Sequence, residues 1–121
     1  MIVAGFGFRK DASLSSLRAA LISAQRGVPP ITHLATVQDK VSGLAPLAEA
    51  LRLPLIAVGT EALASAPTHT RSGASLRGRG TGSVAEAAAL VVAGPGARLL
   101  RARHISPDRM ATCAIAEGTI A

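Results

Sequence analysis

The first half of the chain alternates short apolar runs with segments of helical spacing. Residues 2–8 (IVAGFGF), 32–37 (THLATV) and 54–58 (PLIAV) are apolar runs of strand length, bounded by charged residues, Gly or Pro. Runs of this kind predict buried strands.

The segments between these runs predict helices. In residues 13–26 and 43–52, leucine and alanine recur every three or four positions, as on one face of a helix. Asp11 or Ser13 provides an N-cap for the first helix. A short third helix begins at Thr60.

Residues 66–82 (APTHTRSGASLRGRGTG) interrupt this pattern. They contain four Gly, three Arg and no acidic residue, which is too polar and too rich in Gly for a core element. A loop of this length inside a compact domain is typical of a functional or mobile segment.

Regular structure resumes at Ser83. Ser83 and Glu86 have the spacing of a capping box, which predicts a helix over residues 84–93 that a GPG sequence ends. Residues 97–105 and 110–116 predict two further strands, joined by an SPDR turn.

The order of these elements predicts a single α/β domain over residues 1–121. A β-α-β-α-β-α start is typical of a largely parallel sheet flanked by helices. The last two strands form a closing hairpin, so we expect a mixed, mostly parallel sheet.

Composition removes several classes of protein. The chain has 121 residues, of which 49% are hydrophobic, and one cysteine, Cys113. The high hydrophobic fraction excludes disorder, and a single cysteine excludes a disulfide scaffold. No run of roughly 18 consecutive apolar residues occurs, which excludes a membrane-spanning helix. The first residues have no basic region before their apolar run, so we expect no signal peptide and a cytoplasmic location.

Basic residues exceed acidic ones by 13 to 7, which gives a net charge of +6. Residues 62–107 hold six Arg against Glu86 alone, a net charge of +5. Such a field favours an anionic partner. The alternative is that a GC-rich genome encodes Arg in place of Lys.

Gly5 and Gly7 approach the end of the first strand, and Arg9 and Lys10 follow them. A dinucleotide motif is disfavoured, because its third Gly would fall at Lys10. Glycines at the carboxyl end of a strand let backbone N–H groups approach a ligand, and ligands of α/β sheets bind at these ends. The alternative is a tight turn without a ligand.

The Arg-rich loop 71–82 leads into the helix that begins after Ser83. Helix N-termini favour anions, and Arg77 and Arg79 would add charge for a carboxylate or phosphate. The Lys-Ser/Thr pair of a Walker A loop is missing. The alternative is a flexible connector with an ordinary N-cap.

His33, His69, His104 and Cys113 show no metal-ligand spacing, so we expect no metal site. We expect Cys113 to be a buried, inert thiol and His33 a hydrogen-bonded structural residue. No nucleophile–base pair follows from spacing. Because aromatic residues make up only 2% of the chain, stacking on nucleic-acid bases is disfavoured.

Four segments occur in the order found in one family. They are GFGFRKDAS at 5–13, LATVQDK at 34–40, LAPLAEALRLPL at 44–55 and TGSVAEAAAL at 81–90. Together they resemble the CobE family of cobalamin biosynthesis, which is similar to the C-terminal domain of the CbiG proteins. The family often has Cys at the position of Ala85 and Pro at that of Ala87.

This resemblance implies a role in building the corrin ring. CbiG proteins open a lactone on a cobalt-containing ring intermediate, but whether this chain is such an enzyme or only binds the intermediate stays open. The implied partner is a corrin-ring precursor that carries several carboxylates, together with other enzymes of the pathway. No separate cofactor is implied.

Carboxylates of such a ring suit a cleft lined with basic side chains at the carboxyl ends of the strands. Asp39 would orient Lys40 or act as a base if chemistry occurs. The backbone at Gly82 and Ser83 would donate hydrogen bonds. The predicted ligand-binding residues are Gly5, Gly7, Arg9, Lys10, Thr36, Lys40, Arg77, Arg79, Gly82 and Ser83.

Two alternatives remain. One is a basic module that contacts the nucleic-acid backbone, and the other is a non-catalytic subunit of a biosynthetic complex.

Overall fold

The computed structural model describes residues 1–65 and 83–118. Over these residues the chain forms five strands: β1 (Ile2–Phe8), β2 (His33–Val37), β3 (Leu55–Val58), β4 (Arg98–Ile105) and β5 (Ala111–Glu117). Each begins and ends within one residue of its predicted bounds. The apolar runs therefore identified the strands correctly.

The described strands form one mixed sheet in the order β3-β2-β1-β5-β4. β1 is parallel to β2, and β2 to β3, whereas β5 is antiparallel to both β1 and β4. The predicted α/β fold with a mixed sheet and a closing hairpin is confirmed. Parallel and antiparallel pairings are equal in number, because the hairpin inserts its second strand beside β1.

Helices cover both faces of this sheet. The described helices are α1 (Leu14–Ala24), α2 (Val41–Leu51), α3 (Thr60–Ser65) and α4 (Val84–Ala93). α1 and α2 share one hydrophobic cluster with one face, and α4 forms a second cluster with the other face. α3 lies against α4.

Serine side chains cap two of these helices. Ser13 accepts a hydrogen bond from the Ser16 backbone N–H at the start of α1, and Ser83 accepts one from Glu86 at the start of α4. Both caps agree with the predictions from sequence. α2 begins two residues earlier than predicted, because a 3-10 turn over Gln38–Lys40 leads directly into it.

The face under α1 and α2 is filled with large side chains. Phe6, Leu17, Leu34, Leu44 and Leu47 are all fully buried there. Burial of each such side chain stabilises the folded state by roughly 1.5–3 kcal/mol.

The face under α4 is built from small residues instead. A Cβ placed on Gly5 would lie 2.1 Å from the carbonyl oxygen of Ala85 and 2.6 Å from the backbone nitrogen of Ala89. Only Gly permits the helix to approach the strand this closely. The absence of a side chain at Gly5 therefore sets the position of α4.

The edge strand β4 uses several of the arginines that make the chain basic. Its pairing with β5 shifts twice, and Arg103 lies in the second shift. The buried carboxylate of Glu86 accepts a hydrogen bond from the Arg103 backbone N–H at 3.0 Å. Arg98 pairs with Glu117 at 3.1 Å, and the Arg101 guanidinium donates to the carbonyl of Arg26, two residues after the end of α1. Bulges and charges of this kind protect a sheet edge from unwanted pairing.

Among the described residues, no helix has the length and apolar character needed to cross a bilayer.

Candidate functional site

The carboxyl ends of β1 and β2 lie at the same edge of the sheet. Phe6 pairs with Thr36 and Val37 with Val58, so β1, β2 and β3 all end there. Arg9 and Lys10 follow β1 as exposed residues, and the 3-10 turn Gln38–Lys40 follows β2. We call this edge, with the residues that follow the strands, the carboxyl edge.

Lys40 is held against Phe8 at this edge. The Lys40 Nζ lies 5.4 Å from the centroid of the Phe8 ring, within the range of a cation–π interaction. The ring also lies over Gly43 in the first turn of α2, where a Cβ would come 2.7 Å from the ring. Both side chains are half-buried. The ammonium group therefore has a defined place beside the end of β1.

The N-terminus of α4 reaches the same edge from the other face of the sheet. Val84 and Ala85 lie over Gly7, with the Val84 Cβ 3.4 Å from a Cβ placed there. Ser83, which caps the helix, is buried. The positive end of the helix dipole thus lies on one side of β1, and Phe8 and Lys40 lie on the other.

The hairpin loop between β4 and β5 also borders the carboxyl edge, which the sequence did not indicate. The Arg9 backbone N–H donates to the Met110 carbonyl at 2.9 Å. Asp108 in this loop accepts hydrogen bonds from Ser106 at 2.6 Å and from the Ser16 hydroxyl in α1. These hydroxyl donors hold the pKa of the Asp108 carboxyl below its ordinary value.

Three of the predicted ligand-binding residues are engaged in packing. Gly5 lies in the middle of β1 under α4, and Gly7, two residues further along the strand, accepts a hydrogen bond at its carbonyl from Thr112 at 3.1 Å. The Thr36 side chain is fully buried and donates to the Phe6 carbonyl at 2.8 Å. Each has a structural reason to be present that needs no ligand.

The remaining candidates divide into two groups. Arg9, Lys10, Lys40 and Ser83 lie at the carboxyl edge, as does Asp39, which is exposed beside Lys40. Arg77, Arg79 and Gly82, with the rest of loop 66–82 and His69, lie outside the described residues.

Other sequence candidates have structural roles. Cys113 is fully buried in β5, and burial raises the pKa of its thiol, in agreement with the predicted inert cysteine. The Nδ1 atom of His33 is 2.7 Å from the Thr32 hydroxyl, at the opposite end of β2 from the carboxyl edge. Across the ranges 1–65 and 83–118, no three His, Cys, Asp or Glu side chains group closely enough to hold a metal.

The fold and this edge define a small mixed α/β domain with basic side chains where its parallel strands end. Solved structures of the same class come from cobalamin biosynthesis. The crystal structure of CobE, a protein from the cobalamin (vitamin B12) biosynthetic pathway, matches with a TM-score of 0.86 and 33% identity over 96% of this chain and 89% of that one. Cobalamin biosynthesis protein chiG from Agrobacterium tumefaciens matches with a TM-score of 0.72 and 35% identity over 98% and 99% of the two chains.

A cobalamin biosynthesis protein G homolog from Sulfolobus solfataricus shares the fold. It is 19% identical, with a TM-score of 0.73 over 95% of this chain and 36% of that one. A comparison with curated protein sequences found no significant match.

The family model "Cobalamin synthesis G C-terminus" matches residues 2–116. The chain therefore belongs to this family of cobalamin biosynthesis proteins, which includes the C-terminal region of CbiG and the CobE proteins. The resemblance inferred from the four sequence segments is confirmed.

Proposed function

We propose that the protein binds a corrin-ring precursor through that ring's carboxylate side chains, at the carboxyl edge. The observation that supports this most is the grouping of Arg9, Lys10 and Lys40 where β1 and β2 end. Arg and Lys form charge-assisted hydrogen bonds with carboxylates, which are among the stronger polar contacts.

The two-sided arrangement of the edge supports a large ligand. Lys40 lies on the α2 side of β1, whereas Ser83 and the start of α4 lie on the other. A small anion would contact one side only. A macrocycle with carboxylate arms in several directions can span the end of β1 and contact both.

If a lactone of the bound precursor is hydrolysed, Asp39 is the candidate base, because it is exposed at the same edge beside Lys40. We also propose a cytoplasmic location for the protein. A single free cysteine supports that location, since disulfides are scarce in reducing compartments.

Size-exclusion chromatography with a coloured ligand tests the binding. Corrins absorb visible light and the polypeptide does not, so visible absorbance in the protein peak reports bound corrin directly. Because the chain has no Trp or Tyr, the protein itself is followed by its peptide-bond absorbance. Cobyrinic acid, a corrin with free carboxylates, should elute with the protein at micromolar concentrations. Cobinamide, in which amides replace the carboxylates, should elute separately.

A pair of charge-matched variants locates the site. Arg9→Gln with Lys40→Gln removes two positive charges from the carboxyl edge, and we expect the affinity for cobyrinic acid to fall by about tenfold or more for each charged donor removed. Arg18→Gln with Arg26→Gln removes the same charge from exposed positions in and after α1. Equal losses of affinity in both variants would reduce the interaction to general charge attraction, and a colourless protein peak for the unmodified chain would refute the proposal.

A further inference from the structure

Phe8 is the least expected residue at the carboxyl edge. It is the last residue of β1, yet its ring is only half-buried, and it borders the basic residues rather than the centre of the core. The other Phe of the chain, Phe6, is fully buried in the same strand. Hydrophobic burial alone explains Phe6 better than it explains Phe8.

The surroundings of Phe8 hold its ring in one place. One side lies so close to Gly43 that even a single Cβ there would come within 2.7 Å of Cε2 and 3.0 Å of Cζ. The ring also packs against the cluster of large side chains under α1 and α2. The missing side chain at Gly43 therefore leaves the space that the Phe8 ring occupies, because any larger residue there would have to displace the ring.

The Lys40 ammonium interacts with this fixed ring. Its Nζ is 5.4 Å from the ring centroid, and Lys40 lies at the junction between the 3-10 turn and α2. A Lys side chain in water has many rotamers, and fixing it for a ligand costs up to about 2 kcal/mol of conformational entropy. A ring that already holds the ammonium reduces that loss when the ligand binds.

We infer that Phe8 is a positioning residue that pre-orients the Lys40 ammonium toward one carboxylate of the bound ring, with Gly43 providing the space for the Phe8 side chain. This inference rests on the proposed function of the carboxyl edge. It assigns to Phe8 no contact with the reacting atoms.

A double-mutant cycle with cobyrinic acid tests the inference. We expect Phe8→Leu to weaken binding about threefold, which corresponds to the strength of an exposed cation–π pair. In the Lys40→Ala background the same change should have no effect, because the group that Phe8 orients is gone. Phe8→Tyr keeps an aromatic face and should retain the affinity of the unmodified protein.

Two outcomes of the cycle would overturn the inference. If Phe8→Leu weakens binding equally with and without Lys40, then Phe8 contacts the ligand itself. If Phe8→Leu has no effect in either background, the ring does not position the ammonium. Thermal unfolding of each variant, followed by circular dichroism, separates these outcomes from loss of the fold.

A measurement without ligand keeps this test separate from that of the proposed function. The Phe8 ring current should shift the ε-methylene NMR signals of Lys40 upfield relative to those of the exposed Lys10. Phe8→Leu should abolish the shift. An unshifted Lys40 signal in the unmodified protein would contradict the positioning role even if cobyrinic acid binds, and a shifted signal without cobyrinic acid binding would contradict the proposed function alone.

Discussion

The two faces of the central strand β1 are packed in opposite ways. On the face of α1 and α2, side chains such as Phe6, Leu44 and Leu47 interlock in a thick layer. On the face of α4, Gly5 meets a helix whose buried residues are mostly Ala, and the backbones nearly touch. On the first face, large side chains fill the space between helix and sheet, and we call this the thick layer. On the second face, the helix backbone lies directly on the strand, and we call this the thin layer.

This difference bears on the carboxyl edge. The thick layer leaves space beside the end of β1 that Phe8 fills, and Lys40 lies over that ring. The thin layer brings the first turn of α4 directly over Gly7, so the positive end of that helix lies close to the end of the strand. The two packing modes thus place different anion-attracting groups on the two sides of one strand.

The largest expected effect is at the thin layer, where Gly5→Ala adds a single carbon. Its Cβ would clash with backbone atoms of Ala85 and Ala89, which cannot move without displacing α4. We expect a loss of about 3 kcal/mol or more in the free energy of unfolding, at the upper end of overpacking effects. Chemical denaturation followed by circular dichroism measures it.

Gly59→Ala is the matched control. Gly59 follows β3, and a Cβ there meets nothing within 4 Å. We expect a change within about 0.5 kcal/mol, as for other surface substitutions. If both Gly→Ala variants are equally stable, the close approach of α4 does not exclude a side chain at residue 5.

The thick layer should respond to the opposite change, the removal of volume. Leu47→Ala would leave a cavity under α2 where Leu47 is fully buried, and we expect a loss of about 2–4 kcal/mol in the free energy of unfolding. Leu14→Ala provides the comparison, because Leu14 is 40% exposed and its truncation should cost little. Equal losses for the two variants would show that the complete burial of Leu47 adds nothing to the stability of the fold beyond what the exposed Leu14 adds.

Local pattern predicted the elements of this fold well, but not all of its pairings. The strands were identified from apolar runs, and the start of α4 from Ser83 and Glu86, because these signals lie within a few residues of one another. The position of β5 between β1 and β4 depends on pairing between the two ends of the chain. Hydrophobic periodicity carries no information on which strands will be neighbours.

The same limit explains what the sequence showed of the site. Arg9 and Lys10 directly follow β1, and Lys40 ends the 3-10 turn that follows β2, so their positions in the chain predict their place at the carboxyl edge. Gly5 was interpreted as a place where a ligand approaches the backbone, whereas in the structure a helix does so. Both situations require the absence of a Cβ at residue 5, so the presence of Gly alone does not distinguish a ligand from a packed helix. The contact between Phe8 and Lys40 depends on how the end of β1 packs against the start of α2, which the pattern of residues along the chain does not show.

The smallest expected effect concerns the hydrogen bonds that tie the thick layer to the hairpin loop. Asp108 accepts hydrogen bonds from Ser106 and from Ser16, which is 92 positions away in α1. Its pKa in the folded protein is lower than the ordinary value of 3.8, so its contribution to stability is complete above that pH and is lost as the pH falls through the folded pKa. We therefore expect Asp108→Asn to lower the Tm slightly at pH 7, and the difference from the unmodified protein to shrink below pH 3.8. Asp11→Asn removes an equal charge from an exposed position at the same edge and should not reproduce this pattern. If the Tm difference for Asp108→Asn is constant across the acid range, the carboxylate does not stabilise the loop through its charge.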